Sequence, residues 1–197
     1  MTTMKEQSIT PPWDLPVYRI RRKVLKVLGA SFHVYDGDKV VALCNQKAFK
    51  LKEDIRLFAD EGMQRELLLI RARQIVDFAA SYDVVDSLSQ KKVGGLRRRG
   101  LKSLFRDSWE VLDLDDKPIA KVEEDTMVMA LLRRFLSNII PQRFTLRGGS
   151  GDPVTMRQRW NPFIYSLEVN APSTSPVDKR LAFAAAVLIA AIEGRQQ

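Results

Sequence analysis

Residues Leu181 to Ile192 read LAFAAAVLIAAI, an apolar run with no polar stripe. Asp178, Lys179 and Arg180 precede it, and Glu193, Gly194 and Arg195 follow. A helix that is apolar all round must be buried on every side. Either a bilayer or the rest of the chain can bury it. A spanning helix needs about 20 apolar residues. The twelve here, at about 1.5 Å each, reach about 18 Å against a hydrocarbon core of about 30 Å. Half of them are alanine, which makes a slim rod suited to close walls. The run is therefore predicted as a helix over about 176–193 inside a protein core. Pro176 would sit in its first turn, Ser175 would cap it and Gly194 would end it.

The walls must come from the preceding residues, and these read mainly as β-structure. Val17 to Leu28 alternates apolar and basic residues. Ser31–Tyr35 and Lys39–Cys44 flank Asp36-Gly37-Asp38, a strong hairpin signal. Phe49–Phe58, Leu67–Phe78, Tyr82–Val85 and Val93–Arg98 follow, with Gly94-Gly95 marking a bulge or a close backbone approach. Ser108–Leu112 and Ile119–Glu123 flank the turn Asp113–Pro118. Phe144–Leu146, Val154–Arg159 and Phe163–Val169 complete the strands. One segment differs: the apolar residues from Met127 to Ile140 have helical spacing and stop at Pro141, which predicts an amphipathic helix. The pattern Ser31-Phe32-x-Val34-x-Asp36-x-Asp38 recurs 77 residues on as Ser108-Trp109-x-Val111-x-Asp113-x-Asp115, as two similar β-meanders would produce. About twelve short strands and one slim apolar helix are reconciled by a closed antiparallel barrel around the helix. Closure removes sheet edges, and diameter grows with strand number. The 197 residues, 45% of them hydrophobic, suffice for one such domain over 17–197. Residues 1–16, with Pro11, Pro12 and Pro16, read as a flexible arm that Trp13 and Leu15 pin to the body.

Several of these stretches together resemble a known family. They are Leu68-Leu-Ile-Arg-Ala-Arg-Gln74, Tyr82-Asp-Val, and the run from Gly95 through Arg97-Arg98-Arg99-Gly100 to Trp109. The hairpin from Asp113 to Glu124 and the terminal helix opening on Asp178-Lys-Arg-Leu complete the set. In this order they resemble the LURP-one-related proteins, which share a tubby-like barrel with the phospholipid scramblases. The resemblance covers residues 17–195 and implies about twelve antiparallel strands around a central C-terminal helix. Tubby domains bind phosphoinositides and scramblases act at membranes, but the LURP-one-related branch has no settled biochemistry to transfer and supplies no ligand set for this chain. Between Trp160 and Arg180 the only acids are Glu168 and Asp178. That departs from the acidic calcium-binding stretch of scramblases and argues against calcium dependence. The cysteine clusters that scramblases use for palmitoylation are also missing.

The net charge of +8 biases the surface toward anionic partners. The densest basic cluster is Lys91, Lys92, Arg97, Arg98, Arg99, Lys102 and Arg106, with no acid between Lys91 and Arg106. It reads as an anion-binding patch, since Arg grips phosphate in bidentate fashion and bases near an acidic bilayer attract it. The competing reading is a solvated strand whose arginines pair with Glu110 or Asp107, with alternation sending Arg98 to the opposite face. Arg19, Arg21, Arg22, Lys23 and Lys26 form a secondary cluster. Nucleic acid is the weaker partner choice, because aromatics are only 8% and no nucleic-acid motif appears.

Catalytic sets are poor. Cys44 and His33 are the only residues of their kinds. This excludes a disulfide within the chain and a zinc site built from cysteine and histidine. Cys44 reads as core and His33 as a solvated strand position. Asp36 with Asp38, and Asp113 with Asp115 and Asp116, read as turn residues. Gly148-Gly-Ser-Gly151 lacks the ending of a phosphate loop. The expectation is a non-enzymatic protein without metal or cofactor, cytoplasmic because no secretory signal pattern opens the chain. It would bind anionic phospholipid headgroups peripherally, without a transmembrane segment. The alternative is a soluble protein-interaction or regulatory scaffold.

Overall fold

The computed structural model describes residues 10–25, 29–46, 54–73, 80–99, 108–124, 141–161 and 164–193. The predicted amphipathic helix over 127–140 lies outside them, as do Lys26, Lys102 and Arg106. Twelve strands form one sheet. They are β1 (Val17–Leu25), β2 (Gly29–Asp36), β3 (Lys39–Gln46), β4 (Ile55–Phe58), β5 (Glu66–Ala72) and β6 (Ser81–Asp86). Then come β7 (Lys91–Arg99), β8 (Ser108–Leu112), β9 (Pro118–Glu124), β10 (Arg143–Gly148), β11 (Val154–Arg159) and β12 (Ser166–Asn170). Each pairs antiparallel with the next, and β12 returns to β1 to close the barrel. One helix, α1 (Lys179–Glu193), follows.

Period-two alternation decides which side chains face inward. β9 and β11 show it most plainly: Ala120 and Val122 are buried between exposed neighbours, as are Val154, Met156 and Gln158. Register carries the inner face round the wall, through Ile20 opposite Leu167, Phe32 opposite Cys44 and Leu57 opposite Leu68. β5 is the exception. Leu67, Leu68, Leu69 and Ile70 are all buried, and a strand covered on both faces reads as a continuous apolar run.

Every residue from Leu181 to Ile192 is buried. The helix touches β1 and β12 on one side, and β6, β7 and β8 on the other. β1 and β7 stand half-way round the ring from each other, so α1 occupies the lumen. Near its start Phe183 packs on Tyr18, with ring centroids 5.4 Å apart, and edge-on against Trp13 at 6.1 Å. Gly94 makes room on the opposite wall. A Cβ there would stand 2.5 Å from the Leu112 carbonyl and 3.0 Å from Leu181. The chain also bulges beside it, between Val84 and Val85.

The helix begins at Lys179 rather than in the 176 region. Asp178 caps it in place of Ser175: its carboxylate accepts the Arg180 N–H at 2.9 Å, and its carbonyl accepts those of Leu181 and Ala182. Two cations in a first turn oppose the helix dipole. Here Arg180 bonds Asp178 and Asp86, and Lys179 faces Asp14. Residues 10–16 are held to the barrel, with a 3-10 turn at Pro12–Asp14 and the Pro16 carbonyl accepting the Ala171 N–H.

The two echoing hairpins, β2–β3 and β8–β9, sit half-way round the barrel from each other. Each carries a bulge at the equivalent place, after Val34 and after Val111. Gly37, at φ +56°, supplies the left-handed residue of the first turn. Two features differ from the sequence reading. β7 takes in Lys91 and Lys92, which precede the predicted strand Val93–Arg98, because they pair with Asp86 and Val85. His33 is buried, not solvated: its Nε2 lies 2.9 Å from Glu61, which closes over it from the β4–β5 turn.

Candidate anion-binding surface

The dense basic cluster falls on β7 and is largely neutralised there. Arg97 and Arg99 point outward and converge on one carboxylate: Arg97 donates to Glu110 Oε2 at 2.7 and 2.9 Å, and Arg99 lies 2.7 Å from Oε1. Glu110 is only 2% exposed beneath them. Arg98, opposite Trp109 in register, takes the other face and is half-buried with a partner of its own. Lys92 reaches Asp116 at 2.8 Å and Asp83 at 3.3 Å. Arg73, from the end of β5, crosses to the same two acids. The bonds from Arg73 and Lys92 hold the Asp116 carboxyl well below the usual aspartate range. Lys91 is exposed beside them. Alternation and pairing thus turn the richest basic stretch of the sequence into an ion-pair network.

The secondary cluster splits in the same way. Arg19 and Arg21 lie on the outer face of β1, with guanidinium carbons 5.8 and 5.2 Å from the Tyr35 ring centroid. Arg19 also donates to the Gly37 carbonyl at 2.6 Å. Arg22 turns inward, is buried and lies 6.0 Å from the Phe32 ring centroid. Lys23 belongs to β1 by its backbone.

The barrel brings together other bases that are scattered in the sequence. Arg143 and Arg147 on β10, Arg157 and Arg159 on β11, and Lys121 on β9 all face outward and are exposed. Two like-charged pairs stand directly opposite in register, Arg143 with Arg157 and Lys121 with Arg147. Like charges so placed destabilise a sheet, by roughly 0.2–1 kcal/mol on the scale of cross-strand pairs. Among the described residues, Lys121, Arg143, Arg147 and Arg157 make no side-chain ion pair. Arg159 is answered by Glu168 at 2.5 Å, and Glu123 is the other acid of this wall. Glu110 faces Lys121 in register, but Arg97 and Arg99 already occupy its oxygens. Between β9 and β10 a groove of about 430 Å³ is lined by Ile119, Lys121, Glu123, Thr145 and Arg147. Across β12, Arg19 and Arg21 extend the wall, facing Glu168 and Ser166. The signal was present as bases an even number of positions apart in Arg143-x-x-x-Arg147 and Arg157-x-Arg159. Only the hairpin register makes these a surface.

Nucleophilic chemistry finds no pair at Cys44 and His33, which face opposite sides of adjacent strands. Phe32 is opposite Cys44, and His33 is opposite Leu43. Cys44 is buried in the core, and burial pushes its thiol pKa up. Asp36, Asp38, Asp113 and Asp115 lie at hairpin turns, where Asp113 accepts the N–H groups of Asp115 and Lys117. Among the described residues no helix is long and apolar enough to cross a membrane. No protein-family model matches the chain, and no curated protein matches it either.

Proposed function

We propose that this chain is a non-enzymatic barrel of the tubby-like, LURP-one-related type that docks peripherally on anionic phospholipid surfaces. The contact is the outer wall formed by β9 to β12 and β1. The observation that carries this reading is the opposed like-charge pairs Arg143–Arg157 and Lys121–Arg147. A sheet that places bases opposite bases gives up stability, and phosphate groups at that wall restore the balance. Each base near an acidic bilayer contributes about 1 kcal/mol, so a wall of several holds a barrel reversibly. The β7 cluster is a weaker candidate, because Asp83, Asp116 and Glu110 already answer Lys92, Arg97 and Arg99.

Flotation with phosphatidylcholine vesicles, with and without phosphatidylserine, tests the reading. The protein is expected to float only with the anionic vesicles and to be released by salt, as screening shortens the reach of surface charge. Equal recovery in both would end the lipid reading and leave the soluble interaction scaffold as the better one.

A further inference from the structure

Large apolar side chains are exposed at both ends of the barrel, but their surroundings differ. Leu88, Leu114 and Met63 crown hairpin turns that also carry Asp86, Asp113, Asp115, Asp116, Asp60 and Glu61. Acids and bases are mixed there, with Asp86, Asp115 and Asp116 paired to Arg180, Lys117 and Lys92. The β11–β12 connection at the other end is different. Trp160 is 59% exposed and Ile164 42%, and Asn161 closes the tip by accepting the Ile164 N–H at 3.1 Å. Directly below, on the outer face, lie Arg157 and Arg159 of β11, with Arg143 opposite Arg157 and Arg21 opposite Ser166. Of the three tryptophans, Trp109 is buried and Trp13 packs on Phe183. Trp160 is the exposed one, while Trp13 is partly buried.

We infer that Trp160 and Ile164 form a membrane anchor: they enter the headgroup layer while Arg143 and Arg157 meet the phosphates around them. This rests on the lipid-docking reading and adds an orientation to it, placing the barrel with the C-terminal end of α1 toward the bilayer. Trp suits the position because its ring is apolar and its N–H is polar, the combination enriched at bilayer interfaces. A tip that only touched charged headgroups would have no use for an indole. A tip that penetrates gains from burying it.

Intrinsic fluorescence reads this directly. With anionic vesicles the wild-type emission should shift to the blue and be quenched by brominated acyl chains. In Trp160→Phe the remaining emission, from Trp13 and Trp109, should do neither. Trp160→Ala should keep its melting temperature yet bind anionic vesicles about tenfold more weakly, and Trp160→Phe should recover most of that loss. Full binding of Trp160→Ala with no quenching of the wild type would overturn the anchor and leave electrostatic docking standing. Failure of the wild type to float with anionic vesicles would overturn both.

Discussion

Two walls of one barrel handle positive charge in opposite ways. On β6 to β8, Arg73, Lys92, Arg97 and Arg99 are each answered by Asp83, Asp116 or Glu110. On β9 to β11, Lys121, Arg143, Arg147 and Arg157 face one another with no ion pair among the described residues. The first wall is rich in base along the sequence, the second only across strands. A dense run of base is thus weak evidence for a binding surface when its neighbours in register are acids. Scattered bases become stronger evidence when register opposes them and the acids on their other side, Glu110 beside Lys121 and Glu168 beside Arg157, are already taken.

The largest expected effect falls on what both walls share. Ala185 is 3% exposed inside the lumen, and an arginine there has no counter-ion or water. Burying such a charge costs several kcal/mol against a total stability of about 5–15 kcal/mol. Ala185→Arg should therefore leave the protein insoluble. A soluble, cooperatively melting Ala185→Arg variant would show that α1 does not support the walls. Next comes binding. Arg143→Glu with Arg157→Glu should lower anionic-vesicle affinity by more than about thirty-fold, since two bases are removed and two acids added. Arg97→Ala with Arg99→Ala should change it less than about threefold. If the second pair mattered as much as the first, the contrast between the walls would collapse.

Stability should separate the walls by sign. Glu110→Gln removes the buried charge that Arg97 and Arg99 share, and urea unfolding should show a loss of about 1–3 kcal/mol. Arg143→Glu turns a repulsive cross-strand pair into an attractive one and should gain about 0.5 kcal/mol, even as it weakens binding. The smallest effect is that of acid. Bonds from Arg73 and Lys92 lower the Asp116 carboxyl below its ordinary value of 3.8. Its contribution is present in full above that value and is lost as pH falls through and below it. Arg73→Ala should make the melting temperature fall less steeply as pH is lowered below 3.8. An unchanged slope would mean that the network is too exposed to matter.

Much of the fold was legible because its causes are local or follow from burial. The all-apolar run from Leu181 to Ile192 demanded a surrounding wall, and alternation in segments such as Val154–Arg159 supplied strands that could close into one. Gly37 marked a turn and Gly94 a close approach, for reasons of backbone space alone. Whether a base on the wall is spent or available was not legible. That depends on which strands lie side by side and in what register, which many residues far apart in the chain decide together. Sequence alone therefore determined that the last helix is a plug and that the protein is basic. Tertiary structure decided which charges Glu110 and Asp116 cancel, and that Arg143 meets Arg157 beside an exposed Trp160. Coulomb interactions act through space, and only the closed barrel sets those distances.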